Sequence, residues 1–351
     1  MTQDELVTAG EDLVRARVTL GHSDIVMRPI GLGCMTMSQS YGDADRETSI
    51  ATIREAIDLG VGMLDTADVY GAADAAFGAP IKGFGHNEEL IGEAIVGRRS
   101  EVVIATKFAV QMGADGAIGL AGDPAYVVQA CDASLRRLRS DHIDLYYCHR
   151  QDPTVPIEET VGAMGELVRQ GKVRAIGHCE LPVDELARAH STFPLSALQS
   201  EYSLWERSIE ADGVVDACRA AGITLVPYSP LGRAMLTGQV RRGQVFDSTD
   251  YRSVLPRFTG ENLDRNAKLV DGLQLFSSRK GASPGQVALA WLLAQPLDVV
   301  PIPGTKRVSY LRENTAATEV ALSADEVAQL SALFDPEEVR GGRYPDSPAD
   351  S

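Results

Sequence analysis

Short apolar runs alternate with longer amphipathic segments along most of the chain, and this alternation constrains the fold more than any other feature. The short runs have the length and apolar content of buried β-strands, and the segments between them repeat apolar residues with a helical period. The runs lie at 30–35, 61–64, 102–106, 142–147, 173–177, 195–199, 223–228 and 298–302. The amphipathic segments include 46–59, 87–96, 124–138, 157–170, 207–220 and 284–295.

Eight strand–helix units in strict alternation predict an α/β chain folded as a (β/α)₈ TIM barrel. A doubly wound dinucleotide fold is disfavoured, because Gly31 and Gly33 are not followed by a third glycine at the offset that such a fold requires. A chain of 351 residues can form one domain when it is a barrel. We expect 1–17 to be an N-terminal extension, 18–345 a single barrel domain, and 346–351 a flexible tail.

Three further segments are expected at the two ends of this barrel. Residues 18–27 have the pattern of two short strands around a turn at 21–24, which predicts a β-hairpin closing the barrel floor. The connections at 71–86 and 232–262 are unusually long. Both follow strands, so we expect them to be long loops on the catalytic face.

Charge and composition exclude several classes of function. The chain has 33 Lys and Arg against 49 Asp and Glu, a formal net charge of −16, which disfavours nucleic acid and anionic membranes as partners. Its N-terminus lacks the apolar core of a secretory signal, and no apolar run approaches the roughly 18 residues of a spanning helix. Its five cysteines form no Cys-x-x-Cys pair, which favours reduced thiols. We expect a cytoplasmic protein. The sequence does not specify an oligomeric state.

Polar side chains follow three consecutive apolar runs, at the points where barrel strands would end. Asp65 ends the second run, Lys107 follows the third and His149 follows the fourth, while Tyr70 lies shortly after Asp65. Each of these residues alone is more often structural than catalytic. Because strand ends meet at one rim of a barrel, the four side chains are expected to form one site.

The combination indicates a general acid. A tyrosine with its usual pKa near 10 is a poor acid at neutral pH. The ammonium group of Lys107 would lower the pKa of Tyr70, while Asp65 would keep the lysine charged and in place. We therefore expect a proton donor whose pKa approaches the working pH.

Seven ordered motifs identify a resemblance to the aldo-keto reductase superfamily, most closely to its bacterial pyridoxal-reductase-like and aryl-alcohol-dehydrogenase-like members. The motifs are DTADVYG, ATK, DLYYCHR, GKVRAIGHCE, LQSEYSLWER, VPYSPLGR and PIPGTKRVSYLREN. The resemblance covers roughly residues 18–345. It implies a barrel that binds NADPH without a Rossmann domain and reversibly reduces an aldehyde or ketone to an alcohol. It makes Tyr70 the proton donor, Lys107 and Asp65 its pKa-tuning pair, and His149 the group that orients the carbonyl.

The same resemblance implies a set of cofactor contacts. Tyr228 would stack on the nicotinamide, and Gln199 would bond its carboxamide. The contacts implied for the rest of NADPH are Ser229, Leu231 and Arg233 for the pyrophosphate, Gly304, Thr305 and Lys306 for the 2′-phosphate, and Glu313 and Asn314 for the adenine. Helix-terminal amides and cations suit the pyrophosphate and the 2′-phosphate, which are anionic.

The chain departs from the family pattern at two cofactor positions. Cys179, in the sequence HCE, stands where the family has a hydroxyl for the carboxamide, and a thiol is a weaker partner. Tyr310 stands where many members place Arg or Gln, which leaves Lys306 and Arg307 to supply positive charge. NADPH is therefore the expected cofactor, with NADH possible.

The thiols and imidazoles of Cys148, His149, His178 and Cys179 end neighbouring strands and are zinc-ligand types. Successive side chains on a strand point to opposite faces, so the four are not expected to converge. We predict no metal site.

The substrate is expected to be a small carbonyl compound. Met35, Phe108 and Trp205 are predicted to border the substrate pocket, with 71–86 as its rim, which would suit aromatic aldehydes, small ketones or pyridoxal. Two alternatives remain open at this stage. One is a cofactor-binding regulatory or interaction protein with little turnover, resembling the potassium-channel β-subunits of the superfamily. The other is a barrel isomerase or aldolase that uses Lys107 as a Schiff base.

Overall fold

The computed structural model describes residues 12–13, 17–42, 44–72, 82–112 and 118–345. Its strands are β1 (Asp12–Leu13), β2 (Val18–Thr19), β3 (Val26–Met27), β4 (Leu32–Gly33), β5 (Leu64–Asp65), β6 (Ile104–Phe108), β7 (Val110–Met112), β8 (Ile118–Leu120), β9 (Ile143–Cys148), β10 (Val173–Cys179), β11 (Ala197–Glu201), β12 (Thr224–Tyr228) and β13 (Leu322–Ser323). Its α-helices are α1 (Arg46–Asp58), α2 (His86–Ala94), α3 (Pro124–Leu138), α4 (Ile157–Arg169), α5 (Val183–Thr192), α6 (Ser208–Ala211), α7 (Val214–Ala221), α8 (Gly260–Lys280), α9 (Pro284–Leu293), α10 (Val308–Thr315) and α11 (Ala324–Leu333).

Seven parallel strands form the central sheet, in the order β12-β11-β10-β9-β6-β5-β4. Residues 298–304 close it between β12 and β4 through parallel bridges from Val299 to Leu225 and from Gly304 to Gly33. This segment contains Pro301 and Pro303, which have no N–H group to donate, so its hydrogen-bond ladder is interrupted. The predicted (β/α)₈ barrel is confirmed.

The hairpin of β2 and β3 closes the floor, as predicted. Leu20 and Ile25, beside its turn, pack in the inner core with barrel-lining side chains such as Ala105 and Leu145. The backbone N–H of Gly21 donates to Thr224 Oγ1 at 2.9 Å, at the amino end of β12. The hairpin does not cover the opposite end of the barrel, where the parallel strands end, so a functional site can form there.

A second core layer lies between the sheet and the surrounding helices. Alternation along β6 separates the layers, because Ile104 and Phe108 pack outward while Ala105 packs inward. Helix α3 is capped at its amino end, since the side chain of Asp123 accepts from the N–H of Tyr126.

The rest of the chain departs from prediction in several places. Helices α5, α8, α10 and α11 are not among the amphipathic segments singled out, and α8 begins inside the predicted 232–262 loop. Part of the expected N-terminal extension forms β1, which pairs antiparallel with β13. Most of the 71–86 loop, the remainder of the extension and the 346–351 tail lie outside the described residues. Among the described helices, none combines the length and apolarity needed to cross a membrane.

Candidate active site

A cavity of about 1430 Å³ opens where the parallel strands end. Its wall includes Asp65, Tyr70 and His149, and Lys107 lies directly behind them with no exposed surface. Every predicted cofactor residue also lines the cavity: Cys179, Gln199, Tyr228, Ser229, Leu231, Arg233, Gly304, Thr305, Lys306, Glu313 and Asn314. The structure thus brings residues that are distant in sequence to one place.

Strand register brings Asp65 and Lys107 together. Asp65 pairs with Ala105 across β5 and β6, and Lys107 lies two residues further along β6, so both side chains point into the barrel. Lys107 Nζ is 2.5 Å from Asp65 Oδ1 and donates to the carbonyl oxygen of Thr66 at 2.7 Å. The ammonium group is therefore held by two oxygens and cannot rotate away from the phenol.

Tyr70 lies against this buried pair. Its hydroxyl oxygen is 3.4 Å from Lys107 Nζ, and its ring meets the ring of His149 edge-on, with 5.8 Å between centroids. The backbone N–H of His149 donates to the carbonyl oxygen of Phe108 at 2.9 Å, which fixes the end of β9 beside β6. The phenol and the imidazole consequently face the same part of the cavity.

Electrostatics in the site differ in one respect from expectation. Burial raises the pKa of Tyr70 to about 12, although the charge of Lys107 opposes that shift. The expectation that Lys107 would bring the pKa of Tyr70 near the working pH is therefore wrong for this structure, because desolvation outweighs the ammonium charge. Burial also opposes charge on Lys107, but the carboxylate of Asp65 keeps the pKa of the lysine above its usual value.

His149 is held in its neutral form. Burial and the positive charge of Lys107 lower its pKa well below the usual value. Within the described part of the chain, its Nδ1 atom is buried without a hydrogen-bond partner. A neutral imidazole carries one N–H donor and one acceptor, which suits contact with a carbonyl oxygen or an alcohol.

Gln199 has a contact that the motif did not predict. Its Nε2 donates to Asp65 Oδ2 at 2.8 Å, so both carboxylate oxygens of Asp65 are bound. The amide predicted to hold a cofactor thus also positions the carboxylate that pairs with Lys107.

Two residues near the C-terminal end of the described chain were missed: Tyr344 lines the cavity, and Arg343 donates to the hydroxyl of the cavity residue Tyr228 at 2.9 Å. Arg343 donates to Glu180 Oε1 at 2.8 Å and to Glu201 Oε2 at 3.0 Å. The hydroxyl of Tyr344 is 2.9 Å from the hydroxyl of Tyr228. These contacts join the C-terminal segment to the ends of β10, β11 and β12. Spacing along the sequence carries no signal for pairs so far apart.

The predicted substrate pocket is only partly present. Met35 lines the cavity, whereas Phe108 and Trp205 do not. Phe108 stacks on Tyr146 in the outer core, with 4.9 Å between ring centroids, because it follows the inward-facing Lys107 on β6. Trp205 packs edge-on against Phe258.

Other apolar residues supply the wall that these two were expected to form. Besides Met35, the apolar lining includes Val69, Ala72, Phe84, Val110, Met112, Ile118 and Leu120. Several come from the antiparallel hairpin of β7 and β8, which was not predicted.

Strained backbone is concentrated at the cavity. Seven non-glycine residues of the described chain have positive φ, and four of these line the cavity: Ser40, Ser229, Arg233 and Ala234. Such conformations are costly for residues with a Cβ atom and cluster at functional sites.

The Cys and His residues considered as zinc ligands do not converge. Cys148 packs in the outer core and Cys179 in the inner core, on opposite faces of the sheet. In the described ranges, no cluster of His, Cys, Asp and Glu side chains could hold a metal ion.

His178 gives a prediction about acid stability. Burial lowers its pKa to about 4, whereas an unfolded histidine titrates near 6.5. Below pH 6.5 the unfolded chain binds a proton at this histidine that the folded chain does not bind. Protonation therefore favours the unfolded chain, and the folded state loses stability as pH falls from 6.5 towards 4. The free energy of unfolding should fall by about 1.4 kcal/mol per pH unit from this group.

Urea unfolding of the wild type and of His178→Gln at several pH values between 7.5 and 4.5 measures this effect. The wild type should lose stability relative to the variant as pH decreases, because glutamine does not titrate. Identical pH dependence in the two proteins would contradict the assignment of a neutral buried His178.

Comparisons with known proteins agree with the geometry. The model of the aldo/keto reductase family matches residues 29–335. An aldo-keto reductase of Schizosaccharomyces pombe, whose name specifies NADP(+), is 42% identical over 321 residues, which cover 90% of this chain and 91% of that protein.

Solved structures with the same fold include two informative relatives. A glycerol dehydrogenase of Gluconobacter oxydans has a TM-score of 0.81 at 25% identity, over 95% of this chain and 98% of that one. An aldo/keto reductase of Klebsiella pneumoniae, in complex with NADP and acetate, has a TM-score of 0.67 at 28% identity, over 91% of this chain and 95% of that one. The protein whose strand ends carry Asp65, Tyr70, Lys107 and His149 belongs to the aldo/keto reductase family.

Proposed function

We propose that this protein uses NADPH to reduce an aldehyde or ketone to an alcohol, with Tyr70 as the general acid. One observation carries the proposal: the Tyr70 hydroxyl lies in a large cavity with a buried, charged Lys107 behind it, 3.4 Å away. A proton donor beside a neutral imidazole is an arrangement that suits protonation of a carbonyl oxygen during its reduction.

The cavity suits NADPH. Arg233 is almost fully buried, and its nearest carboxylate, that of Glu201, is 3.7 Å away, so a bound phosphate would balance its charge. Gly304 and Thr305 line the cavity shortly before α10, and Lys306 and Arg307 add positive charge there. Anionic groups are favoured at such helix starts. The family relative named for NADP(+) supports the same choice of cofactor.

Each of the predicted catalytic residues has a separate role in the proposed reaction. When bound, NADPH supplies a hydride to the carbonyl carbon. Tyr70 then gives its proton to the carbonyl oxygen, and Lys107 stabilises the phenolate that remains. Asp65, fixed by Gln199, holds Lys107 in place, while neutral His149 orients the carbonyl through a hydrogen bond.

The two alternatives have less support. A Schiff-base lysine must reach its substrate and lose its proton, whereas Lys107 is fully buried and its pKa is raised by Asp65. A cofactor-binding regulatory protein would keep the same barrel. No described contact favours it over turnover, and the complete set of proton-transfer residues supports an enzyme.

Oxidation of NADPH with a panel of aldehydes and ketones tests the proposal, with NADH run in parallel. We expect turnover of at least one carbonyl class and a higher kcat/KM with NADPH, because Lys306 and Arg307 can meet a 2′-phosphate that NADH lacks. Tight NADPH binding without turnover on the whole panel would favour the regulatory alternative.

A further inference from the structure

Arg150 is a cation in the cavity that the proposed reaction does not use. It directly follows His149 and lines the cavity wall. Its Nη1 donates to the carbonyl oxygen of His149 at 2.8 Å, which places the guanidinium group beside the residue proposed to orient the substrate carbonyl. A guanidinium group remains charged throughout the physiological pH range and offers five donors.

Arg150 differs in its pairing from two other arginines that line the cavity, Arg233 and Arg252. Arg252 forms an ion pair with Asp250 at 2.6 Å, and Arg233 lies 3.7 Å from Glu201. For Arg150, no carboxylate of the described ranges lies within ion-pair distance. Among the described residues its side chain donates to the carbonyl oxygen of His149, which leaves most of its five donors unused there.

The carboxylate whose charge acts on Arg150, that of Glu180, is already engaged. Glu180 and Glu201 both accept hydrogen bonds from Arg343. Glu180 thus shares its negative charge between Arg343, to which it is hydrogen-bonded, and the more distant Arg150. Leaving a largely enclosed charge without an ionic partner costs free energy, and an anionic ligand would recover part of that cost.

Part of the cavity wall is apolar. Val69 and Ala72 approach it from the loop after β5, and Val110, Met112 and Leu120 from the β7–β8 hairpin. A ligand that fills this space and also reaches Arg150 needs an apolar body with one negative group.

We propose that Arg150 binds a carboxylate on the substrate, so that the preferred substrates are carbonyl compounds with an apolar body and a carboxylate. This inference rests on the proposed carbonyl reduction. Arg150 would act as a specificity-determining residue, because its charge-assisted hydrogen bonds discriminate between a carboxylate and a neutral group of the same shape.

Matched substrates test the proposal. The 3- and 4-carboxybenzaldehydes are compared with the corresponding nitrobenzaldehydes, since a nitro group has the shape of a carboxylate without its net charge. For each pair, the ratio of kcat/KM for the carboxylate over the nitro compound is measured in wild type, Arg150→Met and Arg150→Lys. Using the ratio removes the difference in intrinsic carbonyl reactivity.

For at least one pair, we expect Arg150→Met to lower this ratio about 10- to 100-fold, the usual value of a hydrogen bond to a charged group. Arg150→Lys should recover part of the loss, because it keeps the charge without the fork geometry. The control is Arg169→Met on α4, which removes an exposed arginine paired with Glu166. It changes the net charge equally and should leave the ratio unchanged.

Calorimetric titration separates this inference from the proposed function. The carboxybenzaldehydes are titrated into NADP⁺-loaded protein, where no hydride is available, and the Kd should rise in Arg150→Met even if no aldehyde is ever reduced. Three results would overturn the inference: no binding to the wild type, an unchanged ratio and Kd in Arg150→Met, or a matching rise in the Kd for NADPH. The last result would assign Arg150 to the cofactor.

Discussion

Tyr70→Phe is expected to lower kcat for carbonyl reduction at least about 100-fold, the scale on which a positioned general acid contributes. The substitution removes only the hydroxyl group, which lies 3.4 Å from Lys107 Nζ. The ring can keep its edge-on contact with His149. Steady-state kinetics and the Kd for NADPH, measured by fluorescence titration, should show lost turnover with cofactor binding changed by less than about twofold.

Tyr126→Phe is the matched control, because Tyr126 also lines the cavity but lies on α3, away from the Lys107–Asp65 pair. It removes the same atom from the same cavity and should retain most of the turnover. Comparable kcat values for wild type and Tyr70→Phe would contradict the role proposed for the phenol.

Lys107→Met is expected to cost about 3–5 kcal/mol in free energy of unfolding, because it leaves the buried carboxylate of Asp65 without its counter-ion. Methionine has nearly the length of lysine, so packing changes little. The variant should also lose turnover, since Lys107 is the group proposed to stabilise the phenolate of Tyr70. Urea unfolding at pH 7 and steady-state kinetics measure the two effects separately.

The double variant Asp65→Asn with Lys107→Met separates stability from catalysis. Asparagine removes the unpaired charge and can still accept from Gln199, so most of the lost stability should return. Turnover should stay low, because the lysine is still missing. A double variant as unstable as Lys107→Met alone would show that the buried charge is not the cause of the loss.

The barrel could be predicted because its signals are local. Each run has strand composition, and the units repeat often enough to exclude other architectures. The eighth strand shows this most clearly. Pro301 and Pro303 interrupt its hydrogen-bond ladder, yet its apolar residues were enough to predict a strand there. Helix α8 was not singled out, although its buried residues Leu263, Ala267, Val270, Leu273 and Phe276 recur with a helical period.

The proton-transfer residues could be predicted from where the strands end, and the structure brings them together. Phe108 was assigned to the wrong side of the sheet, although alternation from Lys107 on the same strand points it outward. The pKa of Tyr70 could not be inferred, because burial is a property of the folded barrel and here outweighs a nearby charge.

The contacts of Arg343 and Tyr344 could not be predicted from the sequence. Glu180 drew attention only as part of an unusual motif, while its partner Arg343 lies 163 residues away along the chain. Nothing in either segment specifies the other. The role proposed for Arg150 could not be predicted from the motif DLYYCHR, because it depends on which carboxylates are paired with other residues in the folded chain.

A single-turnover experiment tests the central claim most directly. Protein loaded with one equivalent of NADPH is mixed with an aldehyde that the panel shows to be turned over, and alcohol formed is counted against NADPH consumed, in wild type and Tyr70→Phe. The account predicts one alcohol per NADPH in the wild type, with at least about 100-fold slower formation in Tyr70→Phe. Equal rates of alcohol formation in the two proteins would contradict it.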